Sequence, residues 1–159
     1  MLQIETGETN TILRTKCEPV TVFDETLKHF IMDMEETMLS DDPDTGVKGV
    51  GLSSNQVGKG NRVLLITQNV GTRKENKILV MINPEILEIS KKTVCMEEGC
   101  LSLPDQFGKV TRSTKVKVKW QNAEGNWCEK KLEKWDARIF LHEYDHLEGV
   151  LFTDYLRDR

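Results

Sequence analysis

No run of apolar residues in this 159-residue chain approaches the ~20 that a membrane-spanning helix needs. The longest runs, VLLI at 63–66 and ILVMI at 78–82, are strand-sized. The first residues, MLQIETGETNTILR, lack both the basic start and apolar core of a secretory leader and the Arg-rich, acid-poor character of a transit peptide. The expectation is therefore a cytoplasmic protein with no membrane attachment, in a bacterium or, if phage-encoded, in its host. Excess positive charge is also missing: the formal net charge is −4, which argues against a nucleic-acid partner. The one basic stretch, KVTRSTKVKVKW, alternates Lys115, Lys117 and Lys119 with Val116, Val118 and Trp120, the pattern of a half-buried strand with a wet face. Among Cys17, Cys95, Cys100 and Cys128 there is no CxxC pair, so thiols are expected rather than a disulfide framework. Repeats, low-complexity tracts and linkers are absent as well, which leaves residues 1–159 as one expected domain.

What is present reads as strands with two substantial helices. Asp24 is placed to cap a helix through Leu39, with Leu27, Phe30, Ile31, Met34 and Met38 on one face and His29 on the opposite side. Pro43, Gly46, Gly49 and Gly51 then break the chain into a loop. Strands are expected at 62–66, 78–82 and 85–89, the last two separated by Asn83-Pro84, and a long one over 109–121. NAEGN turns this strand into a partner at 127–132. A second helix is expected over about 134–147, stopping at Gly149. Connections this short leave little room for crossover helices. The expected class is α+β, with mainly antiparallel sheets packed around one central metal-binding helix and an N-terminal helix.

The chemistry lies in LHEYDHLEG, residues 141–149. Trp135, Ile139, His142 and His146 form one stripe of the second helix, apolar except at the histidines. Buried imidazoles need partners, and HExxH lets two rings grip one ion with Glu143 beside them as general base. The longer pattern HExxHxxGxxH fails at its last position, which is Phe152. A third ligand is thus expected upstream, where EEGCLSLP offers Cys100, with Cys95 as its rival. On one strand an offset of five sends the two thiols to opposite faces, so both cannot easily serve one ion. A Cys/His/His set leaves one position for water, the layout of a hydrolytic site rather than a closed structural one.

GVGLSSNQVG (49–58), EGCLSLP (98–104) and LHEYDHLEG together resemble the three ordered motifs of peptide deformylases, and the similarity extends over nearly the whole chain. The resemblance implies an enzyme that removes the formyl group from N-formylmethionyl peptides. It implies Cys100, His142 and His146 as metal ligands and Glu143 as the acid and base. Gln56 and the backbone N–H of Leu101 would hold the formyl oxygen. Gly51 would let the substrate backbone pair beside the first motif, and Val50, Trp135, Ile139 and the stem of Glu98 would line the methionine pocket. Arg112 paired with Asp145 would be structural support. The implied ion is Fe2+, with Zn2+, Ni2+ or Co2+ able to substitute, and any contact with the ribosome is transient. Ser53 and Ser54 stand where two alanines are usual, Asn55 where proline or a small residue is common, Leu141 where glutamine is frequent, and Phe107 where arginine often stands. A zinc-dependent peptidase, and a non-enzymatic homologue that binds formyl-peptides or only keeps the fold, are the competing readings. Phe152 counts against the first and the intact Glu143 and Gln56 against the second.

Overall fold

In the computed structural model, which describes residues 1–42, 46 and 48–156, a five-stranded sheet carries one long helix on each face. The short helix α1 (Thr11–Arg14) precedes α2 (Glu25–Leu39), whose N-cap Asp24 accepts from the Leu27 amide. Then come β1 (Gly51–Ser53), a 3-10 turn (Ser54–Val57), β2 (Val63–Gln68) and β3 (Lys77–Ile89). The chain continues with β4 (Thr93–Cys100), β5 (Leu103–Ser113), β6 (Lys115–Gln121), β7 (Trp127–Glu133) and α3 (Lys134–Leu147). A 3-10 turn over Phe152–Leu156 closes the described part. Strand order is β1-β2-β3-β6-β7 in the large sheet and β4-β5 in a separate ribbon, and every strand-to-strand pairing is antiparallel. Pro43, expected to break the chain after α2, lies outside the described residues.

The period-2 geometry of a strand explains the sandwich. On β2 every residue is buried. Leu64 and Ile66 pack with Phe140, Leu141 and Leu147 of α3, while Val63 and Leu65 pack with Leu27, Ile31, Met34 and Met38 of α2. Alternate side chains thus feed two cores, each fully buried Leu, Ile or Phe contributing about 1.5–3 kcal/mol. Val116, Val118 and Trp120 of β6 point into the α3 core, and the lysines between them stay on the outer face. Leu103, Val110, Leu151 and Phe152 make a third, smaller core under the β4–β5 ribbon.

Two strand boundaries differ from the sequence reading. Asn83-Pro84 does not end a strand but makes a bulge inside β3, where the register with β6 slips between Ile82 and Glu85. Asn83 takes φ 51°, and its side chain exchanges hydrogen bonds with the backbone of Val20, at 2.8 and 2.9 Å, which holds the bulge. The expected single strand over 109–121 is two. It breaks at Thr114, whose amide donates to Lys92 O at 3.0 Å as the chain leaves the ribbon for the large sheet. Alternation persists across the break, so periodicity alone could not show it. The second helix runs as expected, and Gly149 (φ 76°) ends it so tightly that a β-carbon there would lie 2.6 Å from Arg14 O.

Candidate active site

The residues of α3 that face the β4–β5 ribbon, together with the edge strand β1, enclose a cavity of about 600 Å³. Its walls include Val50, Gly51, Gln56, Glu98, Cys100, Leu101, Trp135, Ile139, His142 and Glu143. One helical turn separates His142 from His146, and their rings lie 5.0 Å apart at 71°. Cys100 Sγ approaches His146 Nε2 at 3.3 Å, and ligand atoms of Cys100, His142 and His146 all fall within 4.8 Å of one another. Cys95, on the same strand, is exposed, as strand parity requires. Cys17 and Cys128 also lie outside this cluster. Phe152, standing where a third histidine would complete a longer motif, stacks on the His142 ring at 6.2 Å and belongs to the third core.

The donor set suits a divalent first-row ion. Burial, and secondarily the charge of His142, keep the His146 pKa well below its ordinary value, so this ring is neutral with a lone pair to give. Burial disfavours charge on His142 too, but its bonds to Cys100 and Glu98 lift its pKa well above the ordinary value. One sulfur and two imidazoles are the mixed ligands that Zn2+ and Fe2+ accept. Glu143 is 3% exposed, and its Oε1 has no hydrogen-bond partner among the described residues. Burial pushes its carboxyl up to about 7, with His142 and Arg112 offsetting part of that rise. A carboxyl poised near neutrality beside three convergent ligand atoms can both accept and return a proton.

Gln56 is fixed from both ends. Its Oε1 accepts from the Ser53 amide and hydroxyl, each at 3.0 Å, while its Nε2 donates to Ser102 Oγ at 3.1 Å and Cys100 Sγ at 3.5 Å. The Ser53 hydroxyl also lies 2.8 Å from Asn55 Oδ1, and Asn55 Nδ2 donates to His146 O at 2.5 Å. Ser54 Oγ donates to Asn61 O. The polar residues at 53–55 are thus buried and bonded, tying the first motif to the end of α3.

Residues 1–159 match the family profile described as Polypeptide deformylase. The chain belongs to the polypeptide deformylase family. Curated relatives agree: it is 47% identical to a peptide deformylase of Thermotoga maritima, over 90% of this chain and 80% of that protein. It is 40% identical to peptide deformylase 1B, chloroplastic/mitochondrial, of Arabidopsis thaliana, over 93% of this chain and 52% of that one. The crystal structure of the Thermotoga maritima peptide deformylase superposes with a TM-score of 0.86 at 44% identity, covering 98% of this chain and 97% of that one. A probable peptide deformylase of Synechococcus phage S-SSM7 gives 0.85 at 37%, covering 98% and 99%. This deformylase is therefore a hydrolase that removes the N-formyl group from nascent polypeptides.

Three features of the deformylase site were not legible in its sequence motifs. Glu98 borders the cavity, as its motif suggested, but its carboxylate turns away to Arg112 (2.6 and 2.9 Å), Arg138 (2.5 Å) and His142 Nδ1 (2.8 Å). Burial alone would raise the Glu98 pKa, yet the bonds from His142 and Arg112 bring it down to about 2. Arg112 reaches on to Asp145 at 2.9 Å, and Tyr155 Oη donates to the same carboxylate oxygen at 2.8 Å. Arg138 is 4% exposed, and its spacing of four residues before His142 is the one sequence signal of its place in the site. Ser102, the acceptor for Gln56, carried no signal at all.

Proposed function

We propose that residues 1–159 act as one catalytic domain in which Cys100, His142 and His146 hold the metal ion. In this reading Glu143 moves the proton, and Gln56 with the backbone N–H of Leu101 receives the developing negative charge. The observation that supports it is the convergence of three ligand atoms within 4.8 Å beside a buried carboxylate oxygen that has no partner among the described residues. A divalent ion, when bound there, lowers the pKa of a water molecule and polarises the formyl carbonyl. Glu143 takes the proton of the attacking water and returns it to the leaving amine, a task that suits a carboxyl titrating near 7. Gln56, held by Ser53, presents its Nε2 beside Cys100, where it donates to the oxygen as charge builds. The β1 edge at Gly51 aligns the peptide backbone, and Val50, Trp135, Ile139 and the stem of Glu98 receive the methionine side chain.

The native ion in this reading is Fe2+, although raw affinity favours Zn2+. A thiolate ligand and an oxidisable ion together make a site that air should damage, because Cys100 can climb the sulfenic–sulfinic ladder. The enzyme works in the cytoplasm on N-formylmethionyl peptides, meeting the ribosome only transiently. The test loads the chain anaerobically with iron or with zinc and measures formate release from formyl-Met-Ala-Ser, beside an internally cleavable peptide. Iron-loaded protein should turn over faster and decay in air, Ni2+ or Co2+ protein should stay active, and the internal peptide should remain whole. Equal iron and zinc rates, unchanged by air, would leave a zinc enzyme. Cleavage of the internal peptide would restore the peptidase reading.

A further inference from the structure

We infer that Arg138 is a positioning residue for the metal ligands: it locks the helix that carries His142 and His146 onto the two strands that frame Cys100. The inference rests on the reading of Cys100, His142 and His146 as the ligand set. Arg138 lies one turn before His142 on α3 and is 4% exposed. Its guanidinium reaches three acceptors on two strands. Nη1 donates to Glu98 Oε2 at 2.5 Å and to Val110 O at 3.1 Å, and Nη2 donates to Val94 O at 2.7 Å. Val94 and Glu98 belong to β4, which ends at Cys100, and Val110 belongs to its partner β5. The fork therefore spans the ribbon and fastens it to the histidine helix.

Glu98 is the centre of this clamp. Its Oε1 accepts from Arg112 Nη2 at 2.9 Å and lies 2.8 Å from His142 Nδ1, and its Oε2 accepts from Arg112 Nε at 2.6 Å and Arg138 Nη1 at 2.5 Å. Two partners on each oxygen saturate a carboxylate, so Glu98 has no freedom to rotate. Glu98 Oε1 stands 2.8 Å from His142 Nδ1, so an Nδ1–H donated to it fixes the ring and aims its other nitrogen. Arg112 also holds Glu98, but among the described residues its hydrogen bond to α3 goes to Asp145, on the far side of His142. Among the described residues, Arg138 is the hydrogen-bond partner that joins Glu98 to α3 on the N-terminal side of His142. Lysine, a single point of charge, cannot serve three acceptors in a plane.

The experiment uses the full chain loaded with Co2+, as wild type and as Arg138→Lys and Arg138→Met. Melting temperature, chelator-driven cobalt release and the thiolate-to-cobalt absorption band are measured on each. The expected result is that folded Arg138→Lys releases cobalt at least about tenfold faster than wild type, with a shifted thiolate band, as orienting partners of metal ligands typically do when replaced. In a Glu98→Gln background the Arg138→Lys change should add little, since both act through one carboxylate. A purely structural arginine would lower the melting temperature yet leave release within twofold of wild type and the band unmoved, and that result overturns the inference. If Arg138→Met fails to fold, Arg138→Lys, which keeps the charge balance, decides. A wild-type chain with no thiolate band, or a His142→Ala chain that binds cobalt as wild type does, would instead sink the ligand set itself.

Discussion

A β-carbon at Gly51 would sit 2.7 Å from Glu143 Oε2 and 2.8 Å from its Cγ. The edge strand and the Glu143 carboxylate thus share one space, and the glycine is what lets Glu143 stand beside the two histidines. The sequence motif suggests a different reason for glycine here, room for the substrate backbone. The structure adds the first tenant of that room, which belongs to the enzyme.

Gly51→Ala should therefore cost activity through Glu143. Overpacking of this kind destabilises by about 1–3 kcal/mol, and the carboxylate must shift to relieve it. Turnover of formyl-Met-Ala-Ser should fall in a folded variant with normal metal content. A variant with wild-type turnover would show that Glu143 moves aside without consequence.

Glu143→Ala should keep its ion and lose its chemistry. The carboxylate is not among the three converging ligand atoms, so metal analysis should still find one ion per chain. Loss of a general acid–base group costs roughly 10²–10⁴ in rate. A metal-free variant would make Glu143 a ligand, and near-normal turnover would place the base elsewhere.

Cysteine replacement separates ligand from bystander. Cys100→Ala should lose both metal and activity, whereas Cys17→Ala, Cys95→Ala and Cys128→Ala should keep both. Cys95 is exposed and is not part of the cavity wall that Cys100 forms. Stoichiometric loss of metal from folded Cys95→Ala would break the assignment.

Acid should unfold the metal-free chain in part through Glu98. Its pKa is about 2 in the folded chain against an ordinary value of 4.5, so the unfolded chain binds the proton first as pH falls. Its contribution is fully present above about pH 4.5 and is lost as pH falls through about 2, of the order of 3 kcal/mol in all. Urea midpoints of the metal-free protein at pH 6, 4 and 3 should fall more steeply for wild type than for Glu98→Gln. Parallel slopes would remove Glu98 from the acid response. At pH 6 the variant should already be weaker, because it leaves buried Arg112 and Arg138 without their carboxylate.

Local pattern made much of this protein legible before any coordinates. The Asp24 cap, the apolar face of α2, the alternation of β6 and the span of α3 are set by neighbours a few residues apart, and each stands as the residues indicated. HExxH belongs to the same class, since one helical turn is enough to pair His142 with His146. Chain pattern also separated Cys100 from Cys95, because side-chain direction on a strand follows from parity. Tertiary structure decided what depends on distant partners. The break at Thr114 comes from a bond to Lys92, and the bulge at Asn83 from bonds to Val20. Lys134 takes a left-handed φ of 56° so that β7 can run straight into α3, with its amide on Thr114 O at 3.0 Å. Arg138 and Glu98, forty positions apart, have no periodic relation to reveal them. A buried charge is tolerated only where the fold brings it a partner, and which partner arrives is fixed by how the ribbon packs on the helix, not by the spacing of residues along the chain.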